Sequence, residues 1–298
     1  QAPYPVISYK QAMLEFGTDK PDLRNPLRIV DTTDFFQRCT FKPFHNKTVR
    51  GIKVHAEMSK GFHEKLLKYA TSIGMGGLGY LEVLEDKSYK GPIDKFIPDD
   101  MKQEIADIAN LEVGDTIFFI ADTEEHAALY AGQIRNELGA RLDLLEKNAY
   151  RFCFINDFPM FEYDKEAKKI IFTHNPFSMP QGGLEALNTK DPRDILAYQY
   201  DIVCNGVELS SGAVRNHNLD IMVKAFEIAG YTEEDLKEKF GALYNAFQFG
   251  APPHAGMAPG VDRMIMLLRN EENIREVIPF PMNGNAQDLM CGAPNEVT

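Results

Sequence analysis

One acid and one base stand apart in the stretch CNGVELSSGAVRNH, which runs from Cys204 to His217. Only small and aliphatic residues separate Glu208 from Arg215. A carboxylate can bind a hard cation, and a guanidinium can grip a carboxylate or phosphate through two parallel hydrogen bonds. In a regular strand, residues seven positions apart face opposite sides. We predict a bulge at the Asn-Gly or Ser-Ser-Gly glycines, which would turn both side chains toward one pocket.

A second arginine follows a strand that carries glycine. Residues 252–268, PPHAGMAPGVDRMIMLL, predict a strand that turns directly into a helix. The predicted buried face of this helix comprises Val261, Met264, Ile265 and Leu268. Arg263 lies off that stripe in the first turn, where a cation opposes the helix dipole. It suits a phosphate, which the free amides at a helix N-terminus also attract. The alternative is an exposed arginine paired with Asp262 or another acid, and the residues alone leave both open.

The surrounding elements predict an α+β fold. After residue 150 the strand candidates are RFCFIND, KIIFTH, YDIVCNGVEL and HAGMAPG, and the helices LDIMVKAFEIAG and TEEDLKEKFGALYNAF interrupt them. Thr232 and Asp235 have the spacing of a capping box at the start of the second helix. Near the N-terminus, SYKQAMLEFG predicts a helix capped by Ser8 and stopped at Gly17. Strands gathered in one region with helices beside them favour an antiparallel sheet.

The middle of the chain predicts a separate α+β unit. Strands VRGIKVHA and DTIFFIAD alternate with helices GFHEKLLKYATSIG and TEEHAALYAGQIRNELG, both of which we expect to end at glycine. The stretch GMGGLG, Gly74 to Gly79, matches the G-x-G-x-x-G pattern of dinucleotide sites. Such a site needs a strand before the glycines and a helix after them, and here the order is reversed. We therefore predict a connecting loop there.

Composition excludes several classes of protein. The net charge of −12 argues against nonspecific binding of nucleic acid and predicts no DNA partner. No apolar run approaches the roughly 20 residues that span a bilayer, and no signal peptide pattern is present. The cysteines are far apart and form no CxxC pair, so a reducing cytoplasm is expected and a disulfide framework is not. They are Cys39, Cys153, Cys204 and Cys291.

Several of these stretches together resemble the aspartate-specific branch of the class II aminoacyl-tRNA synthetases. Gly256-x-x-x-Gly260-x-x-Arg263, followed by an apolar helix, resembles motif 3 of the class, and NGVELSSGAVR resembles the segment NG-x-E-(small)-G-G-x-x-R. FGTDKPDLRNP, NDFPMFEYD and THNPF resemble further segments of the bacterial enzymes, in the same order. The resemblance covers nearly the whole chain. It implies an antiparallel class II sheet flanked by helices in residues 1–29 and 148–298, with an inserted α+β (GAD-like) domain over residues 30–147.

The resemblance also implies a reaction, namely ATP-dependent activation of L-aspartate to aspartyl-adenylate and transfer to the 3′ end of tRNA-Asp. Some enzymes of this kind charge tRNA-Asn as well, and the family is homodimeric. By resemblance, Arg215 and His174 bind aspartate, and Asp201 and Glu208 bind Mg²⁺. The implied ATP-binding residues are Glu208, Gly260, Val261, Asp262 and Arg263, of which Glu208 and Arg263 are also catalytic.

The chain departs from the family pattern in three ways. Many members have His-His-Pro where this chain has His174-Asn175-Pro176, and Pro259 stands where an aromatic or other apolar residue is common. The 298 residues contain no stretch like motif 1, motif 2 or the anticodon-binding domain. We expect this stretch alone to be nearly inactive, because motif 2 carries the arginine that grips the α-phosphate of ATP.

Two other classes of protein stay open at this point. A catalytically inactive, synthetase-derived binding module would not need motif 2. A relative specific for asparagine or lysine would share the fold, although asparagine lacks the charge that Arg215 would pair with.

Overall fold

The computed structural model describes residues 2–296, and the chain divides into two compact units. Unit 1 comprises Gln1–Pro159 and Cys204–Gly206, and unit 2 comprises Met160–Val203 and Val207–Thr298. No helix in the described part of the chain is long and apolar enough to cross a membrane. The predicted domain boundaries at residues 29/30 and 147/148 come from the family resemblance and stay a prediction.

Unit 1 alternates strands with helices. Its strands are β1 (Val6–Ser8), β2 (Ile29–Asp31), β3 (Thr48–His55), β4 (Gly79–Val83), β5 (Tyr89–Lys90), β6 (Asp115–Asp122) and β7 (Phe152–Pro159). Its helices are α1 (Tyr9–Phe16), α2 (Thr33–Arg38), α3 (Lys60–Ser72), α4 (Lys102–Ala109) and α5 (Glu124–Arg141). The short strand β1 pairs in parallel with β7.

The larger sheet of unit 1 has the strand order β2-β3-β6-β4-β5, and its neighbours are antiparallel. Successive residues of β6 point into two different cores. Ile117 and Phe119 pack with residues of α2 and α4, whereas Phe118 and Ile120 pack with residues of α3 and α5. A sheet covered on both faces needs no polar alternation, which explains the continuous apolar run of β6.

Most of the predicted helix ends in unit 1 are confirmed. Ser8 Oγ accepts a hydrogen bond from the first turn of α1, and Gly17 ends that helix with φ 69°. Helix α3 ends before Gly74, and β4 follows, so the predicted order of helix, glycines and strand is also confirmed. The predicted end of α5 is wrong, because Gly139 lies inside the helix. A Cβ there would overlap the Asn25 side chain, so this glycine serves close packing and not termination.

Unit 2 contains a second group of antiparallel strands with helices. Its strands are β8 (Phe161–Asp164), β9 (Lys169–Phe172), β10 (Leu196–Cys204), β11 (Val207–Val214) and β12 (Ala255–Pro259). Its helices are α6 (Gly183–Thr189), α7 (Leu219–Ile228), α8 (Glu233–Gln248) and α9 (Val261–Arg269). β10, β11 and β12 are neighbours in that order. The predicted capping box of Thr232 and Asp235 is present at the start of α8.

The stretch YDIVCNGVEL is two strands and not the single strand predicted. Asn205 and Gly206 form the turn between β10 and β11, with φ 52° and 85°. Two successive positive φ angles are typical of a type I′ hairpin turn, for which Asn-Gly is the preferred sequence. The prediction failed because the apolar run continues on both sides of the turn.

Helix α9 starts directly after β12, as predicted. Its predicted buried face is wrong, because Val261 is 64% exposed, Ile265 40% and Leu268 70%, whereas Met266 is buried. Sequence periodicity tells which side of a helix is apolar, but it does not tell whether anything covers that side.

Candidate functional site

Glu208 and Arg263 contact each other within unit 2. Nη1 of Arg263 donates to the backbone oxygen of Glu208 at 2.7 Å and lies 3.2 Å from its Oε1. The Arg263 side chain is 44% exposed and that of Glu208 is 22% exposed. The arginine is thus paired with an acid, and that acid is not Asp262. Ion pairs this exposed contribute roughly 0–1 kcal/mol, so a phosphate can replace the carboxylate as the arginine's partner at little cost.

The predicted ATP-binding residues Gly260, Val261 and Asp262 form the start of α9. The Gly260 N–H donates to the backbone oxygen of Leu209 at 2.7 Å, which fixes the start of the helix against β11. No side chain within the described residues caps the helix at Gly260. The amides of the first turn therefore keep their capacity to bind an anion.

Asp201 and Glu208 lie on the two strands of the β10–β11 hairpin, four residues before Asn205 and two residues after Gly206. Ser210 follows Glu208 by two positions and therefore shares its face of β11. Asp201 is 7% exposed and Ser210 is 3% exposed. Both acids have interaction partners of their own. The Ser210 hydroxyl is buried and has no hydrogen-bond partner among residues 2–296.

These oxygens fit a magnesium ion that arrives together with a phosphate. Mg²⁺ prefers octahedral oxygen ligands and is usually held by one or two carboxylates, substrate phosphates and water. Asp201 and Glu208 supply two carboxylates, and the unpaired Ser210 hydroxyl is a further oxygen on the same face of β11 as Glu208. The described residues contain no group of three or more His, Cys, Asp or Glu placed to hold a metal. The pair therefore suits an ion shared with a substrate.

β11 has no bulge between Glu208 and Arg215. Its pairing with β12 runs without a slip from Ser210 to Val214. Backbone hydrogen bonds at Leu209 (2.7 Å) and Arg215 (2.9 Å) extend the same register in both directions. The predicted bulge is therefore wrong. Regular alternation places the Cβ atoms of Glu208 and Arg215 on opposite faces of the strand. A shared pocket made by a kink in β11 does not exist.

Gly212, one of the glycines expected at the bulge, instead makes room for an aromatic ring. A Cβ at this position would lie 2.5 Å from Cε2 of Tyr200 and 2.7 Å from the backbone oxygen of Gly256. The Tyr200 hydroxyl donates to the same Gly256 oxygen at 3.2 Å. The ring of Tyr200, which comes from β10, thus packs across β11 at the one residue that has no side chain.

Arg215 lies beside the loop that carries His174. Residues 177–179 pair with residues 214–216, with an antiparallel bridge between Ser178 and Arg215 and a 2.8 Å backbone hydrogen bond on each side of it. His174 is exposed and precedes this segment by three residues. Arg215 thus pairs with the segment that follows the His174 loop. The Arg215 guanidinium is half-buried and has no ion-pair partner among the described residues.

Three polar residues that the sequence reasoning missed hold this loop. Gln199 Nε2 donates to the Asn175 backbone oxygen at 3.1 Å and to Ser178 Oγ at 2.8 Å. Asn175 Oδ1 accepts from the Phe177 N–H at 2.9 Å, an Asx turn for which asparagine is well suited. Gln199 and Asp201 are both buried on one side of β10. Two polar residues at alternate positions of an otherwise apolar strand are the signal that could have found Gln199.

The two buried cysteines near the β10–β11 turn are unsuited to nucleophilic chemistry. Burial raises the pKa of the Cys204 thiol to about 11 and the pKa of Cys153 to about 12. The thiolate is the reactive form of cysteine, so both thiols are inert at neutral pH. The chemistry available at this site is therefore that of carboxylates and guanidinium groups.

Comparison with known proteins assigns the chain to a family. The sequence model of the tRNA synthetases class II (D, K and N) matches residues 1–284, so the chain belongs to this family. It is 54% identical to the aspartate–tRNA(Asp/Asn) ligase of Ehrlichia canis (strain Jake), over 99% of this chain and 51% of that protein. It is 53% identical to the ligase of the same name from Zymomonas mobilis, over 100% of this chain and 51% of that protein. The chain spans about half the length of the curated relatives it matches.

Among solved structures, the aspartyl tRNA synthetase from Entamoeba histolytica matches 81% of this chain and 44% of that chain, at 19% identity and a TM-score of 0.35. The family assignment rests on the sequence comparisons.

Proposed function

We propose that this chain is the C-terminal catalytic portion of an aspartate–tRNA ligase. In the proposed reaction, L-aspartate is activated by ATP to aspartyl-adenylate and then transferred to the 3′ end of tRNA-Asp and of tRNA-Asn. The observation that carries this proposal is the Glu208–Arg263 contact, made on the strand that forms a hairpin with the strand of Asp201. It occurs in a chain that is 54% identical to a protein named aspartate–tRNA(Asp/Asn) ligase. An inactive binding module is not favoured, because these relatives are named as ligases.

Activation requires attack by the α-carboxylate of aspartate on the α-phosphorus of ATP, with pyrophosphate leaving. Arg263 and the first-turn amides of α9 would bind phosphate oxygens and stabilise the charge that develops on them. The Arg263–Glu208 ion pair would open when ATP enters, and Arg263 would then exchange a carboxylate for a phosphate. No covalent intermediate with the protein is needed.

Asp201 and Glu208 would hold the Mg²⁺ that comes with ATP. The ion supplies positive charge beside the phosphates. Ser210, whose hydroxyl is buried and unpaired within residues 2–296, would offer a further oxygen on the face of Glu208. The role of the chain itself is to keep these oxygens fixed, so that Glu208 can release Arg263 without moving.

Arg215 would bind the side-chain carboxylate of aspartate. A guanidinium matches a carboxylate through two hydrogen bonds, which lysine cannot reproduce. Its half-buried position without an ion-pair partner among the described residues supports this role. His174, three residues before the segment that pairs with Arg215, would close over the bound amino acid.

The test is aspartate-dependent exchange of pyrophosphate into ATP by the full-length protein that contains this chain. Losing one partner of a buried charge pair costs about 2–5 kcal/mol, so Arg215→Ala should raise the KM for aspartate by about 30-fold or more. The KM for ATP should stay near the wild-type value. Arg263→Gln should do the opposite, raising the KM for ATP. Arg193→Ala, which removes an exposed arginine paired with Asp191, is the matched control.

An unchanged aspartate KM in Arg215→Ala would overturn the assignment of Arg215. Exchange stimulated by asparagine or lysine and not by aspartate would instead show a different amino-acid specificity. We also propose that the 298-residue stretch alone is nearly inactive, and robust exchange by it would contradict that expectation. The homodimer, the cytoplasmic location and the domain boundaries at residues 29/30 and 147/148 are part of the same proposal.

A further inference from the structure

A buried arginine of α5 binds the segment that leads into β2. Arg135 is 0% exposed. Its Nε donates to the backbone oxygen of Leu27 at 2.7 Å, and its Nη2 donates to those of Asp22 at 3.0 Å and Asn25 at 2.8 Å. Burial lowers the pKa of Arg135 to about 10, so the group stays charged at neutral pH. A buried charge is tolerated only where its donors are satisfied; here three carbonyl oxygens accept from Nε and Nη2, and Asn136 Oδ1 accepts from Nη1 at 3.4 Å.

Asn25, in the segment that leads into β2, also hydrogen-bonds to α5. Asn25 Nδ2 donates to the backbone oxygen of Arg135 at 2.9 Å, and Asn25 Oδ1 accepts from the Leu27 N–H at 3.1 Å. Glycine lets the two backbones approach, because a Cβ at Gly132 would lie 2.8 Å from the Gly17 oxygen. Helix α5 and residues 17–27 therefore form one closely packed structure.

The same segment contacts the Asn205–Gly206 turn. Asp22 and Arg24 form a two-pronged ion pair, with Nε–Oδ1 at 3.0 Å and Nη2–Oδ2 at 2.7 Å. The Cβ of Asp22 lies 3.5 Å from where a Cβ at Gly206 would be. The turn is therefore packed against a segment that Arg135 holds in place.

The chain that follows α5 also binds this turn. Asn205 Oδ1 accepts from the Arg151 N–H at 2.9 Å, and Asn205 Nδ2 donates to the Ala149 oxygen at 2.9 Å. The Glu146 N–H donates to the backbone oxygen of Arg24 at 3.1 Å, which ties this segment to the first one. The segments before β2 and after α5 thus both contact the turn.

We propose that Arg135 and Asn205 are positioning residues for the binding of magnesium and ATP. They hold the turn that joins the strands carrying Asp201 and Glu208, which lie four residues before and three residues after Asn205 in the chain. Metal-binding groups must be held to within about 0.5 Å, and a hairpin that shifts at its turn moves both carboxylates. The segments before β2 and after α5 are then supports for the turn of this hairpin. This inference rests on the proposed function.

Calorimetric titration of the full-length protein with magnesium and ATP, without aspartate, tests this role independently of turnover. Asn205→Gly keeps a residue that adopts positive φ and removes both side-chain hydrogen bonds. Arg135→Lys keeps the charge and loses the planar guanidinium that donates to three carbonyl oxygens. Loss of a residue that orients metal ligands weakens metal binding by about 10–100-fold. We expect about a tenfold weaker binding of magnesium–ATP in each variant, with an unchanged KM for aspartate.

Arg141→Lys is the matched control, because Arg141 is on the same helix, pairs with Glu137 and lies over the Tyr69 ring. If Arg135→Lys does not fold, Asn205→Gly carries the test. Folded variants that bind magnesium–ATP as tightly as the wild type would overturn the proposal. Glu208→Gln separates the metal-binding assignment from the positioning role of Arg135 and Asn205. If it leaves magnesium–ATP affinity unchanged, the metal-binding assignment itself fails. If it weakens binding and the positioning variants do not, only the positioning role fails.

Discussion

Replacing Gly212 with alanine tests how β11 is held in place. The new Cβ would lie 2.5 Å from the Tyr200 ring and 2.7 Å from the Gly256 oxygen, which is a backbone atom and cannot simply rotate away. Overpacking of this kind costs about 1–3 kcal/mol. If the ring moves, its 3.2 Å hydrogen bond to Gly256 is also lost, at about 1 kcal/mol. We expect a total loss of about 2–4 kcal/mol in the free energy of unfolding.

Gly256→Ala is the matched control, since Gly256 is the residue facing Ala213 on β12 and its Cβ would meet nothing within 4 Å. We expect its stability within about 1 kcal/mol of the wild type. Urea unfolding of the full-length variants measures both effects. In the double variant, Tyr200→Ala removes the ring. Gly212→Ala should therefore cost less in that background than it does in the wild type. Equal stability of the two single variants would refute this account of the glycine.

Three further predictions concern other parts of the chain. The pKa of Cys153 is about 12 in the folded chain against 9.0 as the ordinary value, so its stabilising contribution is complete below pH 9 and is lost as the pH rises toward 12. The stability difference between wild type and Cys153→Ala, measured by urea unfolding, should therefore fall by about 1 kcal/mol between pH 9 and 10, and a constant difference would contradict this. Asn175→Ala removes the acceptor for the Phe177 N–H and should raise the aspartate KM severalfold, whereas Asn175→Asp keeps the acceptor and should not; steady-state kinetics with aspartate and ATP distinguish the two. Thr232→Ala removes the cap of α8 and should lower stability by about 1 kcal/mol in thermal unfolding, with exchange activity at the wild-type level.

Local signals in the sequence predicted local structure well. The helix cap at Ser8, the stop at Gly17 and the capping box of Thr232 depend on residues within four positions of one another, so the sequence contains all the interacting groups. The strand-to-helix transition at Gly260 was likewise predicted, because a glycine before an apolar helix is a short-range pattern.

Predictions that depended on distant residues failed or were missed. The predicted helix stop at Gly139 is wrong, because Asn25, more than a hundred positions away, decides the role of this glycine. The buried face of α9 was predicted from periodicity, and the structure leaves Val261 and Leu268 exposed. Gln199 was overlooked because its partners Asn175 and Ser178 come from a different segment of the chain.

The sequence by itself determined which residue types are available for chemistry, the family they belong to, and most element boundaries. Glu208, Arg215 and Arg263 could be singled out because charge is rare in their apolar stretches. Only the tertiary structure decided how they are arranged. The regular register of β11 excludes the predicted bulge, and Arg263 pairs with Glu208 across 55 positions of sequence. Periodicity describes a single strand or helix, whereas register and partner choice depend on the neighbouring element, which no short stretch of sequence specifies.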